Sequence, residues 1–322
     1  MDDISPDLIE AVDPIAAAMM SLPGVTGVGL GFREEDGEFF DELAVRVLVA
    51  DASAVPPDLV PDIAGVPVCV VEFPVEPLFS PDTTRYTDIP GGAQIQQAPG
   101  ASGTLGAFAT DSSGNTVALT CHHVAGNPGT TVWQSVAPPA PFGQPPDMAD
   151  AIGTTIAVES PETQTIPVPA GTQLLLGRPV DAATISLDQL GAGRSATGSI
   201  ADLGTVDSTK PPRVGMFVTK RGSQSGPTGG FITGIALYVP WDVGSPPFGH
   251  RYVMSRQYEV FFDPSTCPDG IFSRGGDSGS VVLETGTLTA VGLLWGGRQQ
   301  GGRRAMLCDI TEVESRLGIT LA

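Results

Sequence analysis

The sequence predicts a mainly β protein: a double β-barrel preceded by a small α/β unit and closed by a C-terminal helix. From Gly103 onward, short apolar runs alternate with turn residues, which is typical of an all-β fold. The 41 glycines and 30 prolines supply the turns between these runs. With 322 residues, the chain is long enough to bury the core of one large domain and a small one.

Residues 1–77 are predicted to form the α/β unit. Ser5-Pro6-Asp7 is a good helix start, because proline suits the first helical position after an N-cap, and the helix is predicted to reach about Ser21. Three strands are predicted to follow, at Val25 to Phe32, Leu43 to Ala50 and Val66 to Val71. A second short helix is predicted at Pro57 to Ile63. Gly27-x-Gly29-x-Gly31 lies inside the first strand, which favours close backbone packing over a nucleotide-binding loop.

So small a unit has a thin core and is marginally stable by itself. We therefore expect it to bury an apolar face, either on the barrel of its own chain or on a neighbouring subunit of a homo-oligomer. The sequence leaves open whether its role is assembly, regulation or folding assistance.

Residues 78–98 lack apolar periodicity and are predicted to be a linker, with the barrel domain at 99–322. Strands are predicted at Leu105 to Ala109, Thr116 to Thr120, Val214 to Lys220, Gly230 to Val239, Tyr258 to Asp263 and Ser280 to Glu284. The proline-rich run at 135–148 is predicted to be an extended surface loop. Thr311 and Glu314 have capping-box spacing, which predicts a closing helix over Val313 to Leu317.

The charge balance disfavours two classes of partner. A net charge of −20 and a pI near 4.2 would repel nucleic acid and anionic membranes. No apolar run reaches membrane-spanning length, and the start at Met1 lacks a basic n-region, so we expect a cytoplasmic protein.

The cysteines are too few and too scattered to predict a disulfide framework: Cys69, Cys121, Cys267 and Cys308. We expect free buried thiols, with pairing of Cys267 and Cys308 as the alternative in an oxidising compartment. Cys121-His122-His123 raises the question of a metal, but His250 is the only other histidine. Without a second Cys/His cluster we expect neither a metal nor an organic cofactor.

Glycines lie close to Ser278 on both sides in the run Arg274-Gly275-Gly276-Asp277-Ser278-Gly279-Ser280. Little beside Ser278 would block a substrate, and the backbone N–H groups of Gly276 and Ser278 can converge on an oxyanion, as acyl transfer requires. In a glycine-rich chain the same residues can also form a polar turn, so this motif alone does not decide.

Two further stretches supply a base and an acid. The apolar strand ending at Thr120 leads into Cys121-His122-His123, which puts an imidazole at a rigid strand end. Asp181 directly precedes a short predicted strand, and Asp150 directly precedes a different one. His123 and His122 are competing bases, and Asp181 and Asp150 are competing acids.

These stretches resemble the triad motifs of chymotrypsin-like (trypsin-fold) serine peptidases, whose chain order is also His, Asp, Ser. Leu119-Thr120-x-x-His123-Val124 and Asp181-Ala182-Ala183 resemble the bacterial and plant branch. Lys220-x-Gly222-x-x-Ser225-Gly226-x-Thr228-x-Gly230 is similar to a hairpin of that branch, and Val291 to Gly297 to its cleft-lining strand. Over roughly residues 95 to 320, the chain looks most like the group of plant Narrow Leaf 1 type trypsin-like proteases and their bacterial relatives.

The resemblance implies a serine endopeptidase that works through an acyl-enzyme without a metal and acts on a protein or peptide. Ser278 would be the nucleophile, His123 the base because the family's histidine directly precedes Val124, and Asp181 the acid that orients it. Gly276 and Ser278 would form the oxyanion hole. The alternative is an assembly or peptide-binding module with a protease fold and little turnover.

The resemblance also implies where the substrate binds. One wall of the primary pocket would be Phe272, Ser273 and Arg274, and the other Leu293, Trp295 and Gly296. A small or apolar P1 side chain is expected, since no acidic residue is present there, while Arg274 leaves an acidic P1 open. Asp277 is expected to hydrogen-bond locally.

Overall fold

The structure is a computed structural model that describes most of the chain. The described ranges are 24–49, 66–73, 84–97, 101–134, 148–159, 164–167, 173–176, 179–243, 250–267, 269–297 and 302–321, with single residues 9, 16, 19, 20, 22 and 51. The predicted helices over 5–21 and 57–63 and the predicted loop at 135–148 fall outside these residues almost entirely.

The described part of the chain is built mainly of strands. The first half contains β1 (Val25–Glu35), β2 (Glu38–Val49), β3 (Val68–Glu72), β4 (Asp88–Gly91), β5 (Gln94–Gln97), β6 (Ala101–Thr104), β7 (Ala107–Asp111), β8 (Thr116–Thr120), α1 (His122–Ala125), β9 (Thr131–Trp133), β10 (Ala151–Glu159), β11 (Gln164–Pro167) and β12 (Gln173–Leu176). The second half contains β13 (Ala182–Ser186), β14 (Ser195–Ile200), β15 (Ser208–Thr209), β16 (Phe217–Gly222), β17 (Gly226–Val243), β18 (His250–Phe262), β19 (Val281–Glu284), β20 (Thr289–Gly297), β21 (Arg304–Asp309), α2 (Ile310–Leu317) and β22 (Ile319–Thr320).

Two large sheets contain most of these strands. One has eight strands in the order β22-β7-β8-β13-β10-β9-β5-β6, and the other has ten, with a main path of β16-β19-β20-β21-β18-β17-β1-β2-β3 and β15 beside β20. One cluster of buried apolar residues combines side chains from both sheets, and a second comes mainly from the ten-stranded sheet. The predicted mainly β fold class is confirmed by these two sheets.

The N-terminal strands are continuous with the ten-stranded sheet. β1 pairs antiparallel with β17, with Val28 opposite Tyr238 and Leu30 opposite Ile235. A side chain at Gly31 would collide with the Thr233 carbonyl and the Gly234 backbone, which confirms close packing as the reason for the glycine run. The described N-terminal strands therefore bury a surface on the barrel of their own chain; the domain limits 1–77, 78–98 and 99–322 stay predictions.

A ring of buried charges crosses this junction. Arg46 on β2 contacts Glu34 on β1 and Glu259 on β18, both at 2.9 Å. Arg304 on β21 contacts the same two carboxylates. Burial opposes charge on Glu259, but the two guanidinium groups hold the pKa of its carboxyl below the usual value. Two cations therefore balance two anions where the N-terminal hairpin meets the barrel.

The segment 78–98, predicted to be a linker, contains β4 and β5, which pair with β14, β6 and β9. These strands are only four residues long, too short for the alternation that predicts a strand. The C-terminal helix begins earlier than predicted, because Asp309 is the N-cap and accepts the Thr311 N–H at 2.9 Å. None of the described helices is long and apolar enough to cross a membrane.

Candidate active site

His123 and Asp181 come together because their strands are neighbours. β8 and β13 pair antiparallel, with Thr120 opposite Ala183, so α1 at the end of β8 lies beside the start of β13. The Nδ1–H group of His123 donates to Oδ2 of Asp181 at 2.5 Å, and the His123 backbone N–H donates to Oδ1 at 3.2 Å. Asp181 is completely buried, while the His123 side chain keeps 12% of its surface exposed. This geometry fixes which imidazole nitrogen carries the proton.

The competing residues lie elsewhere. Asp150 forms an ion pair with Arg85 at 2.5 Å, outside the contacts of the histidine. The Nε2 of His122 is hydrogen-bonded to Asn127 at 3.1 Å. Since the two histidines are adjacent in α1, their side chains point in different directions, and only that of His123 reaches Asp181.

The serine loop keeps two backbone donors available. Gly276 has a φ of +97°, a left-handed conformation that favours glycine. The N–H groups of Gly276 and Ser278 donate to no acceptor within the described part of the chain, whereas those of Asp277 and Gly279 are bonded. Two donors one residue apart can hold an oxyanion.

The Ser278 side chain is completely buried in this structure. Its hydroxyl donates to the Trp295 carbonyl oxygen at 3.1 Å. A substrate can therefore reach this oxygen only after neighbouring groups move, and the hydroxyl must rotate away from Trp295 before it can react.

Shared neighbours hold the histidine and serine loops against each other. The Leu294 carbonyl accepts the Cys121 thiol at 3.3 Å and the Gly279 N–H at 2.7 Å. The Thr104 carbonyl accepts the Thr120 hydroxyl at 2.7 Å, and the Thr104 N–H donates to the Ser278 carbonyl at 2.7 Å. Through these bonds the end of β8 and the serine loop share one framework.

Asp277 is held by more than the local bond that the sequence predicted. The local bond exists, since the Arg274 N–H donates to Oδ2 at 2.8 Å. A second partner is the buried ammonium of Lys220 at 2.9 Å, and the N–H groups of Gln224 and Ser225 donate to Oδ1. Burial opposes ionisation, but Lys220 and these donors keep the pKa of Asp277 below its usual value. The hairpin between β16 and β17 thereby fixes the residue next to Ser278.

The predicted pocket residues divide into exposed and buried ones. Arg274 points outward and pairs with Asp269 at 2.7 Å. Phe272 is buried under the Lys220 ammonium, at 5.4 Å from its ring centre, and Leu293 lies in the hydrophobic core.

The remaining pocket residues lie near one another. Ser273 is buried, and its hydroxyl has no hydrogen-bond partner among the described residues. The Trp295 indole N–H donates to Gln257 at 2.7 Å. Gly296 lies opposite Met306 in the β20–β21 pair.

The predicted free thiols are also present in the structure: Cys69, Cys121, Cys267 and Cys308 are all buried and unpaired by disulfides. The sulfur of Cys121, a His123 nitrogen and an Asp181 oxygen lie within 4.8 Å of one another, close enough to suggest a cation. Zinc would need the thiolate, but burial raises the pKa of Cys121 well above its usual value. The contacts of Asp181 with His123 account for the cluster without a metal.

Three residues of this framework were missed in the sequence. Thr104 donates its hydroxyl to the Gly276 carbonyl at 2.7 Å, and nothing in its surroundings in the sequence signals this. Lys220 belongs to a recognised motif, but its pairing with Asp277 depends on the fold. Cys121 was predicted to be a free buried thiol and was considered as a metal ligand, although its place two residues before His123 was a signal for a part in the site.

Comparison with known proteins gives a fold-level likeness only. No family model and no curated protein matches the chain. The structure is similar to Thermobifida fusca Protease A, with 18% identity and a TM-score of 0.47 over 73% of this chain and 98% of that one. It is also similar to Nocardiopsis protease, with 19% identity and a TM-score of 0.47 over 73% and 98%. An α-lytic protease homologue, N4, has 20% identity and a TM-score of 0.46 over 73% and 100%. Likeness at this level says nothing of what this chain does.

Proposed function

We propose that this protein is a serine endopeptidase that cleaves peptide bonds through an acyl-enzyme. The observation that carries the proposal is the 2.5 Å bond between His123 Nδ1 and Asp181 within a framework that also holds Ser278. A buried carboxylate on Nδ1 leaves Nε2 as the basic nitrogen, which is the state a general base needs.

In the proposed reaction, the Ser278 oxygen attacks the substrate carbonyl carbon while its proton passes to Nε2 of His123. The N–H groups of Gly276 and Ser278 donate to the oxyanion, and one such donor is worth about 3 kcal/mol of transition-state stabilisation. The intermediate collapses as His123 gives the proton to the leaving amine. Water then repeats the sequence on the acyl-enzyme and releases the acid and free Ser278.

We further propose a small or apolar P1 side chain. The charge of Arg274 is engaged outside by Asp269, which weakens the case for an acidic P1. Within the branch suggested by the motifs, the relation to plant Narrow Leaf 1 type proteases also stays a proposal.

One observation favours a second candidate, a peptide-binding module with a protease fold. Ser278 is completely buried and its hydroxyl is bonded to Trp295, so the serine is not ready to attack as it stands. In that case the cleft would bind a peptide without cleaving it.

A fluorophosphonate probe separates the two candidates. We expect labelling of the full chain at Ser278, located by peptide mass spectrometry, and no labelling of Ser278→Ala. Ser280→Ala, which alters a neighbouring serine bonded to the Asp277 carbonyl, is the control that should keep the label. A folded protein that resists the probe and cleaves no peptide in a mixed library would overturn the peptidase proposal.

A further inference from the structure

Asp181 is a buried carboxylate with few donors. A carboxylate offers about four lone-pair positions. Among the described residues, the N–H donors to Asp181 are the Nδ1–H and backbone N–H groups of His123. The backbone N–H holds Oδ1, but the N–H donor to Oδ2 belongs to the imidazole that this carboxylate has to orient.

Two thiols lie next to this carboxylate. The Cys308 sulfur accepts the Asp181 backbone N–H at 3.4 Å, which holds the main chain. The Cys121 sulfur lies within 4.8 Å of ligand atoms of both Asp181 and His123 and donates to the Leu294 carbonyl at 3.3 Å. The S–H group can rotate, so one proton has two acceptors, the Leu294 carbonyl and the Asp181 carboxylate.

We propose that Cys121 is a positioning residue, whose thiol donates to the Asp181 carboxylate and holds it in the plane that orients His123. This inference rests on the proposed peptidase function. Cys121 is completely buried, and its anchor on Leu294 belongs to the strand that also bonds Ser278 through Trp295. The thiol therefore ties the acid side of the site to the serine side.

The protonation state of the thiol agrees with this role. Burial first, and then the neighbouring Asp181 charge, raise the pKa of Cys121 well above its usual value, so the thiol keeps the proton that it donates. The ionisable groups facing Asp181 from the described elements are His123 and Cys121 on the β8 side and Cys308 on β21. Burial also raises the pKa of Cys308 well above its usual value.

The test compares two substitutions of Cys121. The variant that is less stable should be the more active one. Cys121→Ser keeps a donor, whereas Cys121→Ala removes it. Burying a serine hydroxyl costs more free energy than burying an alanine methyl group, so Cys121→Ser should be the less stable variant. For kcat on a peptide substrate the order should reverse: a loss of about tenfold in Cys121→Ala with KM unchanged, and near wild-type kcat in Cys121→Ser.

Cys267 supplies the matched control. It is a buried thiol that donates to a carbonyl, that of Gly229, at 3.1 Å. Cys267→Ser should again be less stable than Cys267→Ala. Both variants should keep the wild-type kcat. If Cys121→Ala and Cys121→Ser lost activity in the same order as they lost stability, Cys121 would be a packing residue and the proposal would be overturned.

A second readout does not need turnover. The Nδ1–H proton of His123, observed by NMR in the full chain, should move upfield in Cys121→Ala, because a carboxylate that is free to turn makes a longer bond to the imidazole. Its chemical shift should return to the wild-type value in Cys121→Ser. If the protein neither reacts with the fluorophosphonate probe nor cleaves peptides but shows this order of shifts, the positioning role stands and the peptidase proposal falls. If the protein cleaves peptides but the three chemical shifts coincide, the positioning role falls alone.

Discussion

Asp181 and Asp277 are both completely buried, yet the chain surrounds them differently. Asp277 accepts bonds from Lys220 and from three backbone N–H groups, which fill its lone pairs with fixed partners. Among the described residues, Asp181 accepts N–H bonds from His123 alone. A saturated carboxylate with a permanent cation stabilises a loop. A sparsely bonded carboxylate beside an imidazole can respond when that imidazole becomes charged.

Under the proposed function, Asp181 has a role in the reaction and Asp277 a role in the fold. Loss of Asp277 should damage the fold, while loss of Asp181 should damage the reaction and leave the fold intact. The following predictions test this division, from the largest expected effect to the smallest.

The largest effect is expected at the base that Asp181 serves. His123→Ala should lower kcat by about a million-fold, because the serine hydroxyl then has no proton acceptor. His122→Ala is the matched control next to it and should retain most of the activity, since the His122 ring is bonded to the exposed Asn127. Steady-state kinetics on a peptide substrate measure both variants. If His123→Ala kept most of its activity and His122→Ala lost it, the base would be His122.

Asp181→Asn should lower kcat by about 10⁴-fold through the wrong histidine tautomer. Its melting temperature should stay within a few degrees of the wild-type value, because the amide keeps the shape of the carboxylate. A loss of activity that followed from unfolding at the assay temperature would contradict the division between the two aspartates.

Asp277→Asn should destabilise the protein by about 3–5 kcal/mol, because it leaves the Lys220 ammonium buried without an anion. Denaturant unfolding measures the free energy. The control is Asp269→Asn, which breaks the exposed pair with Arg274 and should cost less than about 1 kcal/mol. Equal costs for both variants would show that the buried pair has no special role.

The pH dependence should distinguish wild type from Asp277→Asn. Because the pKa of Asp277 is below its usual value in the folded protein, its ionisation stabilises the fold at neutral pH, and this stability is lost as pH falls below about 4. The gap in unfolding free energy between wild type and Asp277→Asn should therefore narrow in acid. A gap that stayed constant from pH 7 to pH 3 would mean that the Asp277 charge contributes nothing.

The smallest effect is expected at Asp150, the competing acid. Its ion pair with Arg85 lies near the surface, where such pairs are worth less than about 1 kcal/mol. Asp150→Asn should therefore leave kcat unchanged and lower the unfolding free energy only slightly. A thousandfold loss of kcat would show that the acid had been misassigned.

Several features could be predicted from the sequence because their signals are local. The strand Thr116–Thr120 was predicted with its observed limits, since apolar residues and flanking turns define it. By contrast, β17 was predicted at Gly230 to Val239 but spans Gly226–Val243. Register shifts interrupt its pairing with β18, and each shift breaks the alternation that a sequence pattern needs.

The contacts between distant segments could not be predicted in this way. The apolar strands of the N-terminal unit were visible, but nothing in β1 indicates that β17 is its partner. The same holds for the ring of Arg46, Glu34, Glu259 and Arg304, whose members come from four strands. Alternation determines which face of a strand is buried, but not which strand lies beside it.

The sequence by itself determined the mainly β fold class and the candidate residues, because turn residues, apolar alternation and short motifs depend on residues close together in the sequence. It left open His123 against His122 and Asp181 against Asp150 on residue grounds alone. Only the tertiary structure decided which pair is in contact, which cation neutralises Asp277, and where the N-terminal strands dock. Each of these depends on groups brought within about 3 Å from positions tens to hundreds of residues apart, and such proximity is a property of the folded chain.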